Sequence, residues 1–554
     1  MLPRFRPKFI FLYIVTMFCC PGAWAAKLFI PMDATSQTDH LKAYGVVFAS
    51  LQQGMQPSWL LNYRGGSFVI DDNDKTIEQL CKERNVNYMT LRNKDYEKIE
   101  KEISDGGKTF SIVTLEKVPR IAVYTPTAKK PWDDAVTLAL TYAQIPFDKL
   151  YADEVLNGAL DKYDWLHLHH EDFTGQLGKY WLQYHNMDWY QVEQNTAQAL
   201  AVKHGFNKIS QLQLAVVKKI RDFVAKGGNL FAMCSATETF DIALAAEHTD
   251  ICDAVFDGDP VDDDFQQRLD YTNCFAFTNF SVNPDPSIYE HSNIDNPFAR
   301  MVPEDADTFI LSVFPAQPDP VPAMLTQNHT THIKGFMGQT NVFRKQKIKP
   351  GVLIMAGYPP APGITLDNGQ RQVNVYNMHD NEARYLHGEY EKGTWTFYSG
   401  HDPEDFQHML GDPPTDLSLH PHSPGYRLIL NNVLLHAVKR VVVPKVTSSD
   451  KLISTPVVAS KPIAPLTIPE NTSYNIYPTA SNNQLNITVN HGNDIGTAKS
   501  NARIEHVVIS NAAGKELINQ TYNAESVTVD IKDLAPGMYM VRVNDTVAGK
   551  LMKE

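Results

Sequence analysis

The sequence predicts an α/β protein with a doubly wound core, followed by a small C-terminal all-β sandwich. Three observations carry this. Short apolar strands alternate with helical segments from Leu28 to about Leu435. A stretch rich in Pro, Ser, Thr and Val interrupts that pattern at 441–472. Beyond it, short alternating strands recur with turn residues between them.

Residues 1–25 combine a basic start (Arg4, Arg6, Lys8), the apolar run Phe9–Cys20 and the A-x-A signal Ala23-Trp24-Ala25. This predicts a cleaved secretory signal peptide, too short to span a bilayer comfortably, and no transmembrane segment after its removal. An N-terminal α/β region follows at 26–117. It opens on the strand Leu28–Asp33, continues through a helix at about His40–Gln53, and then through Trp59–Leu61, Tyr63-Arg64-Gly65-Gly66 and Ser67–Ile70. A second helix lies near Ile77–Asn85. The alternation implies a doubly wound unit here too. Tyr63–Gly66 reads either as a turn or as an anion-binding loop through Arg64.

The pattern restarts at Arg120 and fills the region 118–440. Ile121–Tyr124 is a strand, Pro131 suits the first turn of a helix to about Gln144, and Tyr163–His169 is a further strand. Gln211–Lys226 is an amphipathic helix closed by Gly227-Gly228. The apolar strand Leu230–Met233 then runs into Cys234, and a helical pattern begins at once. Strand, nucleophile type, helix is the order of a nucleophile elbow. The helix N-terminus would supply backbone N–H groups and a positive dipole end, both favouring a thiolate. The bland reading is a small thiol packed at a tight turn. Later, the alternating strand Thr394–Tyr398 leads into Gly400-His401-Asp402-Pro403-Glu404, and Ser423–Leu435 is helical.

In this order the segments resemble the class I glutamine amidotransferases, whose core is a flavodoxin-like doubly wound sheet. The resemblance implies Cys234 as nucleophile, His401 as its base and Glu404 or Asp402 as the acid that orients the imidazole. It also implies Ser235 and the loop from Asp172 to Gly175 as oxyanion donors. Three departures are visible: Ala232 and Ala236 replace glycines, and two residues rather than one separate His401 from Glu404. The span from about Leu28 to Leu435 also resembles exported proteins described as asparagine synthetase B, through "LLNYRGGSF", "YDWLHLHHEDFTGQ" and "GHDPEDFQHMLGDPPTDLSLHPHSPGYRLILNN". The chemistry of that name does not follow, because residue 2 is Leu2 and no Ser-Gly-Gly-x-Asp or G-x-x-x-x-G-K-[ST] loop occurs. No cofactor is expected.

Histidines and acids concentrate at His167-Leu-His169-His170-Glu171-Asp172, at His329 and His332, and from His401 to His408. The first group ends a strand, where open α/β sheets bind ligands. His169, His170, Glu171 and Asp172 are therefore candidate binding residues. Imidazoles beside carboxylates suit zinc, yet H-E-x-x-H is absent and no metal site is assigned. Three function classes stay open: a thiol hydrolase or amidase acting on an amide or other small molecule, a non-catalytic surface protein binding a small ligand or glycan, and a metal-dependent hydrolase.

After the linker at 441–472, the region 473–554 shows strands at Gln484–Asn490, Ile504–Ser510, Val527–Ile531 and Tyr539–Val543. The stretches "IEHVVISNAAGKELINQ" and "VTVDIKDLAPGMYMVRV" resemble the C-terminal sorting domain of type IX secretion. That implies the type IX machinery as a partner and a location on the cell surface or outside the cell. The net charge of −13 makes nucleic acid and anionic membrane poor partners. Cys81, Cys234, Cys252 and Cys274 are too scattered for a disulfide framework.

Overall fold

The computed structural model describes residues 27–438 and 473–553, apart from short stretches at 73–74, 127–132, 298, 300–303, 305–306, 358–364, 368–371, 375–380, 408, 410, 478–479, 482–483, 491–502, 512–515, 536 and 545. The signal peptide, the Pro131 helix start, the linker and most of the turn Asn511–Gly514 lie outside the described residues. The chain divides into two compact units, 1–444 and 445–554. It is a mixed α/β protein with several sheets and a C-terminal β region.

The first unit opens with strands β1 (Lys27–Ile30), β2 (Ser58–Leu61), β3 (Ser67–Asp71), β4 (Met89–Leu91) and β5 (Ser111–Thr114). Helices α1 (His40–Gln52), α2 (Thr76–Glu83) and α3 (Asn93–Asp105) lie between them. The sheet order is β4-β1-β3-β2-β5 and every pairing is antiparallel. This corrects the doubly wound expectation for 26–117. Apolar strands covered on both faces read alike in either direction, so the pattern did not reveal the pairing. Asp39 caps α1 by accepting the Lys42 amide, which fixes the helix start where the sequence placed it.

A larger sheet follows. Its first part holds β6 (Ile121–Tyr124), α4 (Ala135–Ala143), β7 (Asp148–Leu150), α5 (Ala152–Leu156) and β8 (Trp165–Leu168). Next come α6 (Trp181–Tyr184), α7 (Asp188–Lys203), α8 (Ile209–Ala225), β9 (Asn229–Met233) and α9 (Ser235–Ala245). The later part holds α10 (Ala254–Asp257), α11 (Phe265–Arg268), β10 (Thr308–Leu311), α12 (Val321–Thr326), β11 (His332–Lys334), β12 (Phe343–Arg344) and β13 (Leu353–Gly357). The hairpin β14 (Thr365–Asp367) and β15 (Gln372–Asn374) stands apart. β16 (Glu382–Tyr390), β17 (Gly393–Tyr398) and α13 (Pro424–Leu435) complete the unit.

The sheet order is β11-β10-β13-β16-β17-β9-β8-β6-β7, with β12 paired to β16. From β7 to β17 all pairings are parallel, and from β17 to β11 they are antiparallel. Helices cover both faces of the parallel half. Ile121 and Val123 of β6, with Phe231 and Met233 of β9, face the core shared with α1, α4 and α13. Ala122, Tyr124, Leu230 and Ala232 face the core of α5, α8 and α9. Strands apolar on both faces are what such double cover requires. All residues of α9 are buried, so this helix has no solvent face.

The second unit holds β18 (Ser473–Tyr477), β19 (Ala480–Ser481), β20 (Gln484–Asn490), β21 (Ile504–Asn511), β22 (Glu516–Ala524), β23 (Ser526–Asp530), β24 (Gly537–Val543) and β25 (Thr546–Lys553). They form two sheets, β18-β20-β23 and β19-β25-β24-β21-β22, around one apolar core that includes Leu485, Ile487, Ile509, Val529 and Val541. The pairings are antiparallel except β19 with β25. The last strand, β25, pairs antiparallel with β24 and lies beyond the strands that the sequence predicts.

Candidate functional site

In the parallel half, the carboxyl ends of β8, β9 and β17 lie side by side. Leu168 is opposite Ala232, and Met233 is opposite Tyr398. His169, Cys234 and His401 leave these three ends. Backbone bonds tie the ends together. The Cys234 amide donates to the Gly400 carbonyl (3.1 Å), the Ala236 amide to the His169 carbonyl (3.1 Å), and the His401 amide to the Met337 carbonyl (2.8 Å). The site is therefore fixed by the sheet itself rather than by mobile side chains.

Cys234 is the N-cap of α9 with φ 51° and ψ −136°. A residue with a Cβ rarely adopts this conformation, and it persists only where the surroundings enforce it. Here the enforcement is the turn from a buried strand directly into a buried helix. The thiol is 3% exposed, and its Sγ accepts the Gln339 amide at 3.3 Å. The Gln339 side chain is held in turn by the Gly178 carbonyl (2.7 Å). Two glycines permit the crowding beside it. Gly400 has φ 88°, and a Cβ at Gly338 would lie 2.9 Å from the Gly400 carbonyl carbon and 3.0 Å from the His401 nitrogen.

A chain of imidazoles runs across the same strand ends. His169 Nε2 lies 3.1 Å from His401 Nδ1, and His401 Nε2 lies 3.1 Å from the Asp133 carbonyl oxygen. His169 Nδ1 and His167 Nε2 lie 3.2 and 3.1 Å from the same oxygen, Asp134 Oδ2, while His167 Nδ1 faces the Phe231 carbonyl at 3.1 Å. Burial alone would raise the Asp134 carboxyl, but the two imidazoles outweigh it and hold the group well below the usual carboxylate range. The His170 ring stacks against His401 with centroids 5.5 Å apart.

The remaining candidates fall into supporting networks. Glu171 accepts the His169 amide at 3.0 Å. Asp172 accepts the amides of Thr174 (2.7 Å) and Gly178 (2.8 Å) and lies 3.1 Å from His291 Nε2. Burial pushes the Asp172 carboxyl up, yet His291 and Thr174 bring it down to about 2. The Thr174 amide is thus committed to Asp172. Gly175 has φ 92° and packs against Ser210. Among the described residues, the buried hydroxyl of Ser235 has no hydrogen-bond partner.

Asp402 and Glu404, expected to orient His401, turn to a neighbouring network. Asp402 accepts Tyr426 and Thr415 hydroxyls at 2.7 and 2.8 Å. Glu404 lies 3.2 Å from His420 Nδ1. The acid at the end of the imidazole chain is Asp134, which the sequence reading missed. Its signal was Asp133-Asp134 ahead of a helical run, a normal N-cap pattern that here also serves the histidines. Gln339 follows Gly335-Phe336-Met337-Gly338, whose two glycines signal a loop and no chemistry.

Glu238, one turn into α9, accepts the hydroxyls of Ser292 (2.7 Å) and Thr340 (2.8 Å). Burial, reinforced by nearby Asp295, raises its carboxyl above the usual range against the pull of His291.

The family model that matches is the secretion system C-terminal sorting domain, over residues 475–554. The chain is therefore exported, secreted or attached to the cell surface, and the domain implies interaction with the type IX secretion machinery. No curated protein matches the chain. Among solved structures, two cytoplasmic proteins of Salmonella typhimurium align. One is 9% identical, covering 58% of this chain and 100% of that chain, with a TM-score of 0.27. The other is 11% identical, covering 58% and 99%, with a TM-score of 0.30. A β-galactosidase from Bacillus circulans sp. alkalophilus is 10% identical over 74% of this chain and 41% of that chain, with a TM-score of 0.24. Among the described residues, no helix is long and apolar enough to cross a membrane.

Proposed function

We propose that the first unit is an exported thiol hydrolase of the amidase type, built on a flavodoxin-like, amidotransferase-like sheet, with Cys234 as nucleophile. The observation that carries this is the backbone of Cys234: a residue with a Cβ held at φ 51° between a buried strand and the N-terminus of a buried helix. Such strain gathers where a side chain must be presented. The parallel order β7-β6-β8-β9-β17 supports the fold reading. The proposed precursor loses residues 1–25, and the region 441–472 links the sorting domain to the rest.

In the proposed reaction Cys234 Sγ attacks an amide carbonyl, and His401 carries the thiol proton to the leaving nitrogen. His401 Nδ1 faces His169 and its Nε2 faces Asp133, so its ring must share or give up one of these contacts to reach the thiol. The line Asp134–His169–His401 replaces the expected Glu404 as the support of the base. The Gln339 amide, already aimed at Sγ, and the first amide of α9 at Ser235 are the proposed oxyanion donors. Each such donor contributes about 3 kcal/mol where one has been removed.

The burial of Cys234 favours the second reading, a ligand-binding protein that uses the same strand ends. Hydrolysis of a panel of activated esters and amides separates the two. The thiol reading expects turnover by the mature chain that vanishes in Cys234→Ala while the fold is retained. Turnover that survives Cys234→Ala would take the chemistry away from the thiol.

A further inference from the structure

We infer that His169, His170 and His401 form a binding site for a divalent cation of the zinc class. The outer contacts of the rings set the tautomers. His169 Nδ1 lies 3.2 Å from the carboxylate oxygen of Asp134, an ion-pair distance without hydrogen-bond alignment, and a proton on that nitrogen leaves Nε2 with a lone pair. His401 Nε2 lies against the Asp133 carbonyl oxygen, so that nitrogen carries the proton and Nδ1 presents a lone pair. With these tautomers the two lone pairs face each other across 3.1 Å, whereas the other tautomer of either ring makes the contact a hydrogen bond. Two acceptors at that distance repel unless a cation lies with them.

Two kinds of cation can do this: a proton shared by the rings, or a metal ion. A third imidazole favours the metal. One ring nitrogen from each of His169, His170 and His401 lies within 4.8 Å of the other two. A tetrahedral zinc with nitrogen ligands at about 2.0–2.1 Å brings neighbouring ligand nitrogens to about 3.3 Å, close to the separation of His169 and His401. The outer contacts also fit. Ligating histidines usually give their second N–H to a carboxylate or a backbone carbonyl; His401 Nε2 lies 3.1 Å from the Asp133 carbonyl oxygen, and His169 Nδ1 lies 3.2 Å from Asp134 Oδ2. The three residues are 0%, 8% and 7% exposed, so the site is largely shielded from solvent. Three neutral imidazoles leave a fourth position for water or substrate.

This site goes beyond the hydrolase reading, since a cation can bind whether or not Cys234 reacts. If Cys234 is the nucleophile, bound zinc occupies His401 Nδ1 and the two activities exclude each other.

The test uses the full mature chain, stripped with chelator and titrated with Zn²⁺ by calorimetry, with X-ray absorption on the loaded protein. The expected result is about one equivalent bound, with imidazole nitrogens around the metal. His169→Ala and His401→Ala should each weaken binding by at least about a hundredfold. His420→Ala, whose ring pairs with Glu404, should leave it unchanged. Well under one equivalent, or a metal shell without imidazole in the unmutated protein, overturns the inference and leaves the shared proton as the cation between the rings. Thiol labelling in chelator reports on Cys234 separately, so loss of one reading does not imply loss of the other.

Discussion

Replacing Cys234 with glycine and with alanine tests whether the elbow is strained. Alanine keeps the Cβ and therefore the strain of φ 51°, ψ −136°, worth about 1–3 kcal/mol. Glycine releases it at two costs. The greater freedom of glycine in the unfolded chain takes back about 0.4–1 kcal/mol, and the lost buried methyl about 0.8 kcal/mol. The balance favours glycine by about 0.5 kcal/mol, whereas at an unstrained buried position glycine would be worse by about 1.5 kcal/mol. Urea unfolding followed by tryptophan fluorescence measures the difference. All seven tryptophans precede His401 in sequence, so the signal reports on the first unit alone. Cys234→Gly should be at least as stable as Cys234→Ala. If it is less stable by about 1 kcal/mol or more, the turn is not strained and the nucleophile argument loses its main support.

Further outcomes follow from neighbouring features. Burial raises the Glu238 carboxyl, so the folded state keeps a proton that the unfolded state gives up. Its contribution to stability is full below the ordinary glutamate range and falls as pH rises through the raised value, with His291 and Asp295 facing the group. Glu238→Gln should flatten that decline in denaturant melts taken from about pH 5 to 8. A Cβ at Gly338 would press on Gly400 and His401, so Gly338→Ala should slow alkylation of Cys234 by about tenfold or more with the fold intact by circular dichroism. A chain of residues 26–440 should unfold at the same urea midpoint as the mature protein, and insolubility of that piece would move the boundary.

The parallel half of the large sheet was legible because its signals are local. Gly227-Gly228 closes α8, Ser423 caps α13, and the apolar run Leu230–Met233 stops at Cys234. The antiparallel arm was not legible. β16 buries Arg384, whose guanidinium reaches Asp307 at 2.7 Å, and also His387, so a central strand reads as a polar segment. The convergence of His169 and His401 was legible only as two strand ends. That they would face each other, with Asp134 rather than Glu404 behind them, depends on a loop and a helix cap remote in sequence. Local patterning carries no information about such tertiary pairings.

The most direct test of the proposed function is selective alkylation of the folded mature chain. The protein is kept in chelator at about pH 6, where a thiolate stabilised by its surroundings reacts ahead of ordinary thiols. Limiting iodoacetamide is added and the adduct mapped among Cys81, Cys234, Cys252 and Cys274, all of which are buried. The expected result is that Cys234 is modified first and that His401→Ala slows the reaction. Labelling of Cys234 only after denaturation would contradict it and make this residue a packed thiol at a strained turn.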